Sequence, residues 1–172
     1  MIASFQLRSI EELDKFIKEF ERAKKNEKGN IVQKYFNIAL LKEKLRDSLQ
    51  EDTDRRGAIQ PETLKYIYNF SCYLAKVANL KTSQLRKFYN SIVNIKHQLD
   101  REEDKDSYVK REIIKARYLL AYATGKNTRS LRDLFEVLDP VLERIDNFQK
   151  FLVFFEALQA ILAYHKYFGG TE

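Results

Sequence analysis

The stretch Lys81-Thr82-Ser83-Gln84-Leu85-Arg86-Lys87-Phe88-Tyr89-Asn90-Ser91-Ile92-Val93-Asn94-Ile95-Lys96 decides the fold. Leu85, Phe88, Ile92, Ile95 and, just beyond it, Leu99 recur every three or four positions, the spacing that aligns side chains on one face of an α-helix. Thr82 reads as the N-cap, since a hydroxyl there can accept an otherwise orphan backbone N–H. The opposite face carries Arg86, Asn90, Asn94, His97 and Arg101, with no carboxylate until Asp100. Such a face is either a solvated helix surface or a phosphate contact surface, where cations supply charge and amides position a backbone without reading bases.

Outward from this helix, composition favours the same architecture. The 172 residues are 44% hydrophobic, enough for one well-filled core, and contain only five Gly and two Pro. So few turn residues disfavour a sandwich or barrel and favour long helices with few joints. The expectation is an all-α, single-domain bundle of about five to seven helices with a long apolar C-terminal helix. Residues 1–57 read as an N-terminal helical extension packed on or beside the bundle, and residues 58–172 as the core.

The formal charge of +6 is localised. From Lys81 to Arg132 there are 13 Lys and Arg against 6 Asp and Glu, a net of +7, which leaves 18 against 19 elsewhere. Charge concentrated in this way makes a field that can recruit a polyanion.

In chain order, Ser9-Ile10-Glu11-Glu12 is a capping box that opens a first helix, with Gly29 as its stop. A second helix is predicted from about Ile31 to Leu49. A third starts at Pro61, at a position where the missing N–H costs nothing, and runs to about Asn79. Its Tyr66, Tyr68, Phe70 and Tyr73 are expected to fill a helix interface with hydroxyls at the rim. After the Lys81 helix and an acidic joint, a helix from about Tyr108 to Thr124 ends at Gly125. Its Arg111 and Lys115 share a face, with no intervening acid expected to neutralise them. A further helix from Thr128 kinks or restarts at Pro140. In the last helix, apolar residues from Ile145 to Leu162 cover roughly 200° of the circumference, so it is expected to be central and also to meet a second subunit as a dimer or to offer a site for a partner protein.

Chemistry is not signalled. His97 and His165 lie on different helices, there is no Gly-rich phosphate loop, and HExxH and GxSxG are absent, so no catalytic residue, metal site or cofactor is expected. Cys72, the lone cysteine, reads as core filler in a reducing compartment. With no targeting segment and no apolar run near ~20 residues, the expected location is cytoplasmic.

Three blocks carry a resemblance. They are Lys81 to Asn90, Ala116-Arg117-Tyr118-Leu119-Leu120-Ala121-Tyr122-Ala123-Thr124-Gly125-Lys126, and Phe155-Glu156-Ala157 with Ala163 to Gly170. Together they resemble the signature blocks of the small α-helical subunit of type III-A CRISPR-Cas effector complexes, the Csm small-subunit family, over roughly residues 58 to 170. The resemblance implies a non-catalytic protein of antiviral defence that stacks beside backbone subunits and the large subunit. It would contact crRNA or target RNA through phosphates, because base pairing reads the sequence. Carried onto matching positions, the RNA-binding candidates are Lys81, Arg86, Lys87, Arg117 and Lys126. Lys96, Arg111 and Lys115 join them on charge and helix face alone. The first alternative is a protein-interaction scaffold whose basic face meets an acidic partner without RNA; an enzyme with dispersed carboxylates, such as a nuclease, and a DNA-binding helix-turn-helix at the Asn79-to-Thr82 turn are the others.

Overall fold

The apolar face of residues 85–99 is buried along its length, with Leu85, Phe88, Ile92, Ile95 and Leu99 all in the core, while Asn90, Asn94, His97 and Arg101 are exposed. This is a computed structural model that describes residues 5–127 and 129–172, without the side chains of 126, 127 and 129. The described residues form eight helices and no strand: α1 (Ile10–Arg22), α2 (Lys28–Tyr35), α3 (Ile38–Arg55), α4 (Pro61–Lys76), α5 (Thr82–Leu99), α6 (Lys105–Asn127), α7 (Arg129–Glu143) and α8 (Phe148–Tyr167).

The extra helix comes from a joint that periodicity does not show. The chain extends at Phe36, and the Asn37 side chain then accepts the Leu40 N–H to start α3, so the expected helix over 31–49 is two. Gly29 lies inside α2 instead of ending α1, and Gly125 lies inside α6. Pro140 is likewise inside α7 without restarting it. The predicted helix start at Thr128 lies outside the described residues. Two other start signals hold. Glu12 N–H donates to Ser9 Oγ (3.2 Å) and Ser9 N–H to Glu12 Oε2 (2.8 Å), closing the capping box, and Pro61 occupies the first turn of α4.

α4 and α8 form the centre. α4 packs on α1, α3, α7 and α8, and α8 packs on α3, α4, α5 and α6. Phe70, Leu74, Phe151, Phe154, Leu158 and Ile161 fill the space between and around them. The four-sided environment takes up the wide apolar arc of α8. The helix is not apolar all round: Gln149, Glu156, Gln159 and Lys166 keep a stripe in solvent. No helix among the described residues is long and apolar enough to cross a membrane. The rings of α4 pack as expected, with Tyr66 hydroxyl donating to Glu62 (3.3 Å) and Tyr73 hydroxyl to Asp133 (3.0 Å).

α3 shares this core. Leu41, Leu45 and Leu49 are buried against α4, α7 and α8, and Lys42 on the same helix pairs with Asp133 (2.8 Å) and Glu136 (2.5 Å) of α7. Asn69 of α4 anchors the segment before α1, accepting the Arg8 N–H (3.1 Å) and donating to the Arg8 carbonyl (2.9 Å).

The C-terminal segment closes over the start of α5. Thr82 is the first residue of α5, not its cap, and its N–H donates to the Thr171 carbonyl (2.6 Å). Below this contact lies fully buried His165, whose Nε2–H donates to the Leu80 carbonyl (2.7 Å) and whose Nδ1 has no partner among the described residues. Gly170 lies against the ring so closely that an added methyl would sit 2.1 Å from it. Burial holds the imidazole below its ordinary value of 6.5.

Two predictions follow from this core. Leu45→Ala should destabilise the whole chain by about 2–5 kcal/mol, and urea unfolding should keep one transition for α3 and the C-terminal helices alike. For His165, the unfolded chain binds the proton more readily than the native one. Its contribution is therefore full above pH ~6.5 and is lost as the pH falls toward the lower native value. Melting temperature should drop between pH 7 and 5 with a smaller drop in His165→Gln.

Candidate nucleic-acid interface

On α5, the exposed face begins at Lys81, where Gln84 Oε1 accepts the Lys81 N–H (3.3 Å) at the helix start. Among the described residues no carboxylate lies within ion-pair distance of Lys81 or Lys87, both exposed. Arg86 is 3.7 Å from the Glu172 carboxylate near the chain end. Lys96 sits on the edge facing α8, its Nζ 5.0 Å from the centre of the Phe155 ring. Lys87 marks the other edge, which faces α6.

α6 lies beside α5 and turns Tyr108, Val109, Ile113, Ala116 and Leu120 inward. Its outward stripe is then Arg111, Lys115, Tyr118 and Tyr122, with Ile114 on one flank and Leu119 on the other. Their exposures are 63% for Ile114, 57% for Tyr118, 51% for Leu119 and 62% for Tyr122. The sequence sets cations and apolar residues side by side on this helix but does not by itself turn Tyr118 and Tyr122 outward. Only the packing of Ile113 and Leu120 does so. Glu112 also changes the charge of the stripe. It lies 3.3 Å from Arg111 Nε and 3.0 Å from Lys115 Nζ, an intervening acid that reduces their joint excess to one charge.

Arg117 is placed differently. It sits at the contact with α7, where Nε donates to Asp139 Oδ1 (2.8 Å) and Nη2 to Asp139 Oδ2 (3.1 Å), a two-point fork. The fork commits Arg117 to holding α6 on α7. Lys126 is in the last turn of α6, and its side chain lies outside the described residues. The structure therefore places Arg86 and Lys87 on α5 with Lys81 at its N-cap, sets Arg111 and Lys115 on the neighbouring helix, and puts Lys96 on the far edge.

Between α5 and α6 is a cleft of about 220 Å³ lined by Gln84, Lys87, Phe88, Ser91, Leu119, Leu120, Ala123 and Leu131. Among the described residues no group of three or more His, Cys, Asp or Glu side chains is placed to hold a metal ion. Cys72 is buried, which pushes its thiol far above the ordinary range.

The pairing distinguishes the two kinds of arginine and lysine. Arg117→Ala should lower the unfolding free energy by about 1–3 kcal/mol, because Asp139 loses two charge-assisted bonds. Lys87→Ala should change it by no more than about 0.5 kcal/mol in the same urea titration.

No curated protein and no solved structure matches the chain. A protein family does match, over residues 60–171, which covers α4 to α8 and both helices of the basic surface. On that match, which spans more than half of its length, the chain belongs to the Csm2 Type III-A family.

Proposed function

We propose that this protein is a non-catalytic small subunit of the type III-A CRISPR-Cas complex that contacts RNA through phosphates without reading sequence. The family supports the subunit role and partnership with the other Csm subunits. The RNA contact is carried by one observation: exposed Lys81 at the N-cap of α5 and exposed Lys87 at the edge of its amide-bearing face, with no carboxylate in ion-pair reach among the described residues. Cations and amides without a base-reading motif suit a backbone whose sequence is recognised elsewhere by pairing.

The proposed surface comprises Lys81, Arg86 and Lys87, extended by Arg111 and Lys115 on α6 and by Lys96 at the α8 edge. Lys126, whose side chain lies outside the described residues, is kept as a candidate on its charge alone. Arg117 is left out, because its fork with Asp139 is already satisfied. The interaction is electrostatic, each neutralised phosphate releasing a condensed counterion. A copy with so few contacts binds weakly alone and gains strength by arraying.

A second reading, a protein scaffold whose basic face meets an acidic partner without RNA, is favoured by the exposure of Ile114, an aliphatic side chain with no use in a phosphate contact.

A salt series separates the two. Binding to unrelated single-stranded RNA should weaken with a log–log slope of about −0.7 per contact. The triple variant Lys81→Ala, Lys87→Ala, Lys115→Ala should make that slope shallower by about 2, with melting unchanged. Absence of binding at low salt would leave the scaffold reading.

A further inference from the structure

The phosphate surface has an apolar interruption. At the α5–α6 cleft, Phe88, Leu120 and Leu131 are buried lining, and Leu119 and Ala123 complete the apolar wall. The remaining lining is polar and comes from α5: Gln84, Lys87 and Ser91. Among the described residues the lining holds one cation and no carboxylate. The Ser91 hydroxyl donates to the Phe88 carbonyl (2.6 Å), so its oxygen keeps lone pairs to accept. Gln84 uses its Oε1 on the Lys81 N–H, and its NH2 has no partner among the described residues.

We infer that this cleft accepts one unpaired nucleobase of the bound RNA, an inference that rests on the RNA-contact reading of the surrounding face. Three features select that occupant. A volume of about 220 Å³ is below the range of clefts that hold drug-sized ligands, and suits one planar ring system. A base has apolar faces and a polar edge, which match apolar walls with an acceptor and donors at one side. An aliphatic or phenyl side chain from a protein partner would fill the walls but leave Gln84, Ser91 and Lys87 facing apolar carbon, a desolvation cost without compensation. Lys87 belongs to both the cleft and the phosphate surface, so a strand held along α5 has its sugar and base next to the opening. Outside it, Tyr118 and Tyr122 lie one turn apart, about 6 Å along the helix axis, wider than the ~3.4 Å between stacked bases in a duplex strand. That spacing also favours an unstacked strand.

Accepting a base from a single strand costs less than taking it out of a duplex, so the protein gains a preference for unpaired RNA that phosphate contacts alone do not provide. Position still carries no sequence information, because an apolar slot with one polar edge tolerates every base.

The test compares two single strands of equal length and charge, one bearing bases and one built of abasic ribose units, by fluorescence anisotropy with the full chain. The parent protein should bind the base-bearing strand at least about fivefold more tightly. Ala123→Phe, which fills the cleft and removes no polar group, should bring that ratio close to one and leave the salt slope unchanged. Leu119→Ala changes a half-exposed wall residue, is safe for folding, and should lower the ratio in the same direction. Equal binding of both strands by the parent, with the salt dependence retained, overturns the base site and leaves the phosphate reading standing. Failure of both strands to bind at low salt removes the phosphate reading and the base site with it. If Ala123→Phe keeps the ratio but prevents assembly with the other subunits, the cleft is a protein pocket and the inference falls.

Discussion

The structure depends on the contact between α4 and α8. Ser71, small and buried, lies at this contact, its hydroxyl bonded to the Ile67 carbonyl of its own helix (2.7 Å) and within 3.3 Å of the Ile161 carbonyl of α8. Around that point both helices bury side chains in several directions. Every other helix is then placed by one of the two or by a helix already placed, α2 through α1 being the case farthest from the centre. Burial of apolar area drives this arrangement, and the polar groups inside it are spent on bonds between elements, as at Asn69 and His165.

The basic surface is a by-product of the same packing. α5 lies on α8 and α6 lies on α5, so each must turn its apolar side inward, and what remains outside is the amide and cation face of α5 and the mixed stripe of α6. The charges there separate by partner. A cation with a carboxylate in a fixed fork, as Arg117 has, serves the fold. Lys81 and Lys87, with none within reach among the described residues, are exposed and committed to no partner of the fold.

The N-terminal helices show why a family boundary is not a physical one. The match begins at residue 60, but Leu45 and Leu49 of α3 are buried among α4, α7 and α8. The core is continuous across that boundary because α4 and α7 have apolar surface that α3 covers.

Much was legible in the sequence. The period of Leu85, Phe88, Ile92, Ile95 and Leu99 determined which side of α5 is buried, because one strong apolar stripe admits one orientation. The Ser9–Glu12 box and Pro61 marked helix starts, because those bonds are local in the chain. The all-α class followed from the scarcity of turn residues, and the localisation of charge could be counted. Tertiary structure alone decided the rest. The break at Phe36 and Asn37, the inclusion of Gly29 and Gly125 in helices, and the solvent stripe on α8 depend on what packs against each segment. α6 is apolar on two sides, so its periodicity does not say whether Ile113 or Ile114 faces the core. The partners of Arg111, Lys115 and Arg117 are set by which carboxylates the fold brings within reach, including one 22 residues away in the chain. Local bonds and one-sided periodicity are written in order along the chain, and a choice between two apolar faces or two carboxylates is made only when a distant helix arrives.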